Sequence, residues 1–438
     1  MRAHKHAAHN PVLILGAAPR ITVPIARSLH EHGIAVDVVT FSSVERPVFS
    51  RAVRNFWRVP DPDVSPSEFS SALCQLIGEH RHDMLIPAND IALTATTENY
   101  DSFSERLHVA CPSPVIVRRI LNKDLTLETA RQCGVRIPHS VTVLNSAALR
   151  EAVQSLSLPI VLKPAEKRRS DEFKSCIVDN AASLDKLFPA PRVFSPPLLA
   201  QEFCPGDGVG VEVLMHNGEA VAVFQHRRLK ELPHGGGVAV VAIAESPGAE
   251  LVRCSIRLLQ TLHWEGVAMV EFKVNSADGT ATLMEVNGRY WGSVSLPLLA
   301  GMNFPLYHWK LVHGENPEIP SSYRVGTKWR WTAGCLDRYH GLLLAARRPG
   351  PDRDLLLHDL QHFLEDFDSP TGDALFDPSD PMPAIFEILR TAKDLAVSDM
   401  RRIVRAVHAA PRQECNPALN LDGKKVTGGA DGKVHSRS

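Results

Sequence analysis

Apolar and polar positions alternate between two periods along the first 120 residues. PVLILG reads as a buried strand, and residues 20–31 carry apolar positions at helical spacing that stops at Gly33. AVDVVTF predicts a second strand and residues 69–79 a second helix; DMLIPAN predicts a third strand, followed by a helical stretch over 91–99. Strands alternating with helices imply a parallel, doubly wound sheet over 11–120. Its first turn holds only Gly16, with Pro19 and Arg20 where a dinucleotide fingerprint has glycines, so a dinucleotide site finds weak support. The crevice at the carboxyl ends of these strands suits a substrate. Asn89 and Asp90 lie there, either as substrate contacts or, more ordinarily, as a helix cap.

The next segment changes pattern. Residues 123–133 read as a helix capped by Asn122 and stopped by Gly134, and LPIVLKP as a strand that ends at Lys163. An ammonium fixed at a strand end can pair with phosphate, although a lone lysine there more often reaches into solvent. Residues 165–175 form a polar, basic loop without glycine, in which Lys167, Arg168, Arg169 and Lys174 carry charge. LLAQEF, GVGVEVLMHNG and EAVAVFQHRR then predict antiparallel strands, the last two joined at Asn217-Gly218. Glu212 falls inside a strand, where a carboxylate binds ribose hydroxyls or faces solvent. His234-Gly-Gly-Gly follows Arg227, Arg228 and Lys230. No GxSxG elbow accompanies it, so acyl hydrolysis is excluded. A glycine-hinged loop beside three cations suits an anionic ligand, or serves as a plain connector.

Residues 267–292, VAMVEFKVNSADGTATLMEVNGRYWG, organise the rest. Two β-rich runs flank Ala277-Asp278-Gly279, a hairpin signal with glycine at the left-handed position. A three-residue loop pairs Ser276 with Thr280 and sets Glu271 opposite Glu285. Side chains alternate faces, so Glu271, Glu285 and Asn287 share one. Like charges about 4.5–5.5 Å apart destabilise a sheet unless something positive stands between them. Mg²⁺ fits, since it takes one or two carboxylates and an amide oxygen besides phosphate oxygens. The ordinary alternative is two solvated glutamates on a plain hairpin.

The chain is 438 residues long, with 44% hydrophobic and 22% charged residues and a net charge of -1, which bounds it to a globular protein of two or three domains. That charge makes no case for nucleic acid or an anionic membrane. No apolar run spans a bilayer, and MRAHKHAAHN lacks the apolar stretch of a signal peptide, so a cytoplasmic location is expected. The eight cysteines form no CxxC and read as reduced thiols, and the 20 histidines offer no zinc spacing.

Taken in order, NKDLTLETARQCGVRIP, LPIVLKP, LLAQEF, GVEV, VEFK and LMEVNGRYWG resemble the ATP-grasp superfamily of carboxylate–amine (carbon–nitrogen) ligases, of the carbamoyl-phosphate-synthase-like carboligase type. The likeness covers roughly 11–315. It implies an α/β fold with a Rossmann-like N-terminal domain over 11–120, followed by a two-lobed ATP-grasp domain over 121–315. The small lobe takes about 121–202 and the large lobe about 203–315. A small helical extension over 316–410 and a disordered tail over 411–438 complete the expectation. Within the extension, residues 342–367 and 385–408 have helical spacing, and Trp329–Trp331 reads as a strand or packed segment.

The resemblance further implies that Lys123 and Lys163 hold ATP phosphates, that Glu202 and Phe203 lie at the adenine hinge, and that Glu212 binds the ribose. Glu271, Glu285 and Asn287 would hold Mg²⁺, with Mn²⁺ as a substitute, and Arg289 would steady the acyl phosphate or the substrate carboxylate. Arg228, Arg289, Trp291 and the loop 235–237 would shape the pocket. The family's phosphate lid usually contains glycines, and 165–175 departs from that. The implied activity joins a small carboxylate to an amine, amino acids among the candidates, with release of ADP and phosphate. The implied partners are these small molecules, with neither nucleic acid nor membrane, and a homodimer is compatible. Two rivals are an ATP-binding regulatory protein without turnover and a nicotinamide oxidoreductase; the second leaves the acidic hairpin unexplained.

Overall fold

The computed structural model describes residues 9–41, 47–166, 175–233, 237–346, 351–362 and 371–409. The basic loop expected as a lid falls almost wholly outside these residues, as do most of the glycine loop and the tail beyond 409. The chain divides into two compact units, Met1–Lys393 and Asp394–Ser438. The described part of the second is the end of a helix, Met382–Ala409.

Three sheets follow one another in the first unit. β1 (Val12–Leu15), β2 (Val36–Thr40), β3 (Val53–Arg58), β4 (Met84–Pro87) and β5 (His108–Val109) form an all-parallel sheet in the order β3-β2-β1-β4-β5. β1, β2 and β4 are buried along their whole length, as strands covered on both faces must be. This is the doubly wound layer that the alternating pattern predicts, enlarged by two strands. β3, at the edge, carries Arg54, Asn55 and Arg58, and β5 has two residues, so neither shows an apolar run.

β6 (Ser140–Asn145), β7 (Ile160–Pro164), β8 (Cys176–Val178) and β9 (Val193–Glu202) make an antiparallel sheet in the order β6-β9-β7-β8. The third sheet has seven strands: β10 (Asp207–His216), β11 (Glu219–Leu232), β12 (Val238–Glu245), β13 (Gly266–Val274), β14 (Ala281–Asn287), β15 (Lys328–Arg330) and β16 (Gly372–Asp373), in the order β14-β13-β10-β11-β12-β15-β16. β10 and β11 meet at Asn217 and Gly218, both with positive φ (51° and 78°), the geometry of a two-residue hairpin turn. β15 extends the large sheet, so Trp329 belongs to a strand. The extension's first helix, Thr332–Ala345, begins ten residues before the expected 342, and a second covers Pro351–Gln361.

Asparagine starts many of the helices. Asn89, Asn122, Asn145, Asn180 and Asn303 each accept a hydrogen bond from a backbone N–H in the first turn, which stabilises a helix by about 1 kcal/mol per cap. One core cluster joins Val12, Ile14 and Ile86 of the parallel sheet to Leu214, Phe224, Met269, Trp291 and Phe304, so one face of the large sheet is packed towards the N-terminal layer. No helix among the described residues is long and apolar enough to cross a membrane.

Candidate active site

Glu271 of β13 stands directly opposite Glu285 of β14. The hairpin reaches that pairing by a different route from the one expected. Asn275 N donates to Thr280 O at 2.9 Å and Gly279 N to Asn275 O at 2.8 Å, so the loop is the four residues 276–279. That loop alone would bring Glu271 opposite Met284. A bulge between Glu271 and Phe272 leaves Met284 over and restores the Glu271–Glu285 register.

Asn287 closes the group, its Nδ2 donating to Glu271 Oε1 at 2.7 Å and to Glu285 Oε1 at 3.2 Å. Arg228 donates through Nη2 to Glu271 Oε2, and its Nη1 reaches Gly237 O at 3.2 Å. The positive charge that opposed glutamates require is thus supplied by Arg228. Burial alone would lower the Arg228 pKa, but Glu271 and Glu231 together raise it. Gly208 and Gly210 make room for this arrangement on β10. A Cβ at 208 would lie 2.9 Å from Arg228 Cδ, and one at 210 would lie 2.5 Å from His226 Cε1. The GVGVEV spacing was the available signal for side chains crossing that strand.

Arg289 donates from Nε to Asp90 Oδ1 at 3.1 Å and from Nη2 to Asp90 Oδ2 at 2.9 Å. Its Nη2 also reaches Asn287 Oδ1 at 3.2 Å. Burial would lower its pKa, and Asp90 outweighs burial and raises it. Asp90 follows β4 at the carboxyl edge of the parallel sheet, while its neighbour Asn89 caps the helix, donor Ala92 N at 2.8 Å. Arg20 lies just after β1, the neighbouring strand. A cavity of about 140 Å³ joins Arg20, Arg228 and Arg289 to Glu271, Glu285 and Asn287. Arg20 escaped the sequence reading because nothing local distinguishes an arginine in a first helical turn.

Two carboxylates and an amide form a sparse oxygen donor set, suited to a hard divalent cation whose other ligands are phosphate oxygens and water. Asn287 turns its nitrogen to the carboxylates here, and a half-turn of the amide would present Oδ1 instead. The residues therefore fit Mg²⁺, provided Arg228 yields its place on Glu271. Among the described residues no group of three or more His, Cys, Asp and Glu is arranged to hold a metal.

The remaining expected residues lie elsewhere. Lys163, at the end of β7, donates to Gln201 Oε1 at 2.9 Å, and Lys123 Nζ donates to Pro164 O at 2.8 Å, which brings the two lysines to one strand end. Glu202 and Phe203 stand where β9 leaves the small sheet. Phe203 N donates to Pro159 O at 3.0 Å, and Glu202 Oε1 accepts from Ser157 N at 2.8 Å, the contact that chiefly holds its pKa down. Both line a second cavity, of about 210 Å³, with His139 and Thr280.

Two side chains differ from expectation. Glu212 does not face solvent; it is fully buried, 2.5 Å from His226 Nδ1, and among the described residues its Oε2 has no hydrogen-bond partner. Trp291 does not shape the pocket. It is fully buried in the core, packed edge-on against Phe304 at 5.4 Å.

Residues 194–335 match the model of a family described as ATP-grasp in the biosynthetic pathway with Ter operon. No curated protein matches the sequence. Solved structures share the fold at low identity. An L-amino acid ligase from Bacillus licheniformis is 19% identical with a TM-score of 0.56, over 69% of this chain and 74% of that one. An N5-carboxyaminoimidazole ribonucleotide synthetase in complex with ADP is 16% identical with a TM-score of 0.59, over 73% and 80%. An N5-carboxyaminoimidazole synthetase from Staphylococcus aureus with ADP is 16% identical with a TM-score of 0.58, over 74% and 82%. The family match covers residues 194–335, and the parallel N-terminal layer followed by the four-stranded and seven-stranded sheets is the fold that the chain shares with these structures.

Proposed function

We propose that the protein is an ADP-forming ligase that activates a small carboxylic acid as its acyl phosphate and joins it to an amine. The observation that carries this is the opposed pair Glu271–Glu285 beneath Asn287, with Arg228 and Arg289 at the same cavity. The substrate carboxylate attacks the γ-phosphorus of ATP and ADP leaves; the amine then attacks the acyl carbon and phosphate leaves. Glu271, Glu285 and Asn287 would hold Mg²⁺, which supplies charge neutralisation at the phosphates. Arg289, fixed by Asp90, orients the acid. Lys123 and Lys163 bind phosphate oxygens, and Glu202 and Phe203 border the base. No side chain serves as nucleophile, so the rate rests on positioning and electrostatics.

A phosphate-release screen of carboxylic acids and amines in pairs tests the reading. Release of phosphate that needs both partners and disappears in Glu285→Gln is the expected result. Release independent of any acid or amine, or retained in Glu285→Gln, would overturn it.

A further inference from the structure

Arg20 differs from the other two guanidinium groups at the cavity. Arg228 is paired with Glu271, and Arg289 with Asp90 at 2.9 Å. Among the described residues Arg20 has no hydrogen bond and no ion pair; its contact is the face of Trp331, 4.2 Å from Cζ to the ring centroid. Gly292 lies close by: a Cβ there would fall 2.9 Å from Arg20 Cζ, so the absence of a side chain at 292 leaves space for the flat cation. Stacked on the indole, the guanidinium keeps its N–H edge available at the cavity it lines with Glu285, Asn287 and Arg289. Glu387 acts on Arg20 through space, but its carboxylate already accepts from Trp331 Nε1 at 2.9 Å. Burial above all, with Arg289 and Arg228 adding to it, brings the Arg20 pKa down to about 10 despite Glu387. The group stays charged at neutral pH, and among the described residues no anion is bonded to it.

Position supplies the rest. In the order β3-β2-β1-β4-β5 the chain reverses its direction of growth between β1 and β4, and such switch points are where doubly wound sheets take ligands. Arg20 follows β1 and Asp90 follows β4. The carboxylate to be activated must lie against the Glu271–Glu285–Asn287 face, where Arg289 stands, whereas Arg20 reaches the cavity from the parallel layer.

We infer that Arg20 anchors a second negative group on the acid substrate, which is therefore a doubly anionic carboxylic acid, either a dicarboxylate or a carboxylic acid bearing a phosphate. This inference rests on the ligase reading above. It also gives the extension after 316 a part in recognition, since Trp331 holds the arginine.

Calorimetry on the full-length protein, loaded with a non-hydrolysable ATP analogue and Mg²⁺, tests it with three probes: glutarate, 3-phosphonopropionate and butyrate. At least one dianion is expected to bind more tightly than butyrate by roughly tenfold or more, the better of the two identifying the terminal group. Arg20→Met should lose roughly 10- to 100-fold for that dianion and little for butyrate. Arg20→Lys, which keeps the charge, should retain part of the preference and guards against a folding defect in the first variant. Equal binding of the three probes, binding of neither dianion, or a preference that survives Arg20→Met would overturn the inference. Failure of the analogue and Mg²⁺ to bind the parent would instead remove the ligase reading itself.

Discussion

Glu271 and Glu285 face one another across two strands, and a single amide nitrogen of Asn287 touches both, at 2.7 and 3.2 Å. Without a metal, Arg228 and that amide offset the repulsion. Glu285→Gln keeps the shape and removes one charge. It should abolish or greatly reduce turnover while changing ligand-free stability by no more than about 1 kcal/mol. Added ATP and Mg²⁺ should raise the melting temperature of the parent strongly and of the variant much less. Paired melting curves are the check; an equal shift in both would exclude a metal role.

Lys163 contacts Gln201 at 2.9 Å and is half-buried near the end of β7, outside the apolar core, so its loss disturbs little apolar packing. Lys163→Ala should weaken ATP binding by roughly tenfold or more, the worth of a charge-assisted contact of about 1.5–3 kcal/mol, with an unchanged melting temperature. An ATP affinity equal to the parent's, measured by calorimetry, would remove the lysine from the phosphate site.

Asp90→Asn tests the tie between the parallel layer and the hairpin. The substitution leaves Arg289 largely buried beside an amide, at a cost of about 1–3 kcal/mol. Activity should fall as well, because Arg289 loses the group that orients it. A double-mutant cycle with Arg289→Met should return a coupling of about 0.5–3 kcal/mol in denaturant unfolding. A coupling of zero would show that the pair positions nothing.

Acid should unfold the protein in two windows. His308 is buried, with Nδ1 3.3 Å from Tyr290 Oη, and burial first, then His108 and His216, hold its pKa down to about 3. The unfolded chain takes up that proton near 6.5, so the stability it lends is full above 6.5 and is lost as pH falls towards 3, at up to about 1.4 kcal/mol per unit. Asp37 acts lower. Burial would raise its pKa, but hydrogen bonds from His82 and Arg54 outweigh burial and bring it to about 2. Its contribution is present above about 3.8 and is lost between there and 2. His308→Gln should flatten the dependence of unfolding free energy on pH between 6.5 and about 4 and leave the slope below about 3 alone. An unchanged slope would place the acid-sensitive group elsewhere.

The acidic face was legible because strand alternation is local: Glu271, Glu285 and Asn287 share a face in any register that opposes the first two. The loop length was misread, and the bulge at Met284 cancelled the error, since a bulge leaves no mark in an apolar run. Asp90 showed only as one of two polar residues at a helix start; its grip on Arg289 joins parts far apart in the chain. Arg20 and Trp331 lie further apart still, and no period links them. Glu212 was expected to meet a ligand or solvent because a carboxylate in a strand needs a partner. His226, the partner it has, sits on the neighbouring strand and could be found only once the β10–β11 register was known.

The last segment of the first unit returns to its beginning. Arg27, in the helix Pro19–Glu31, donates to Asp380 Oδ2 at 3.1 Å, to Asp380 O at 2.6 Å and to Leu375 O at 2.8 Å, while Ser50 Oγ donates to Asp380 Oδ2 at 2.6 Å. A ribosome makes residues 27 and 50 long before residue 380. During synthesis the parallel layer therefore waits with an arginine and a serine whose partners do not yet exist, and β16 is still missing from the large sheet. Contacts so distant in sequence form late and slow the approach to the native state. A chain cut after residue 315 would never leave that condition: it would keep most of the acidic face yet lack Trp331, β15 and the acceptors for Arg27.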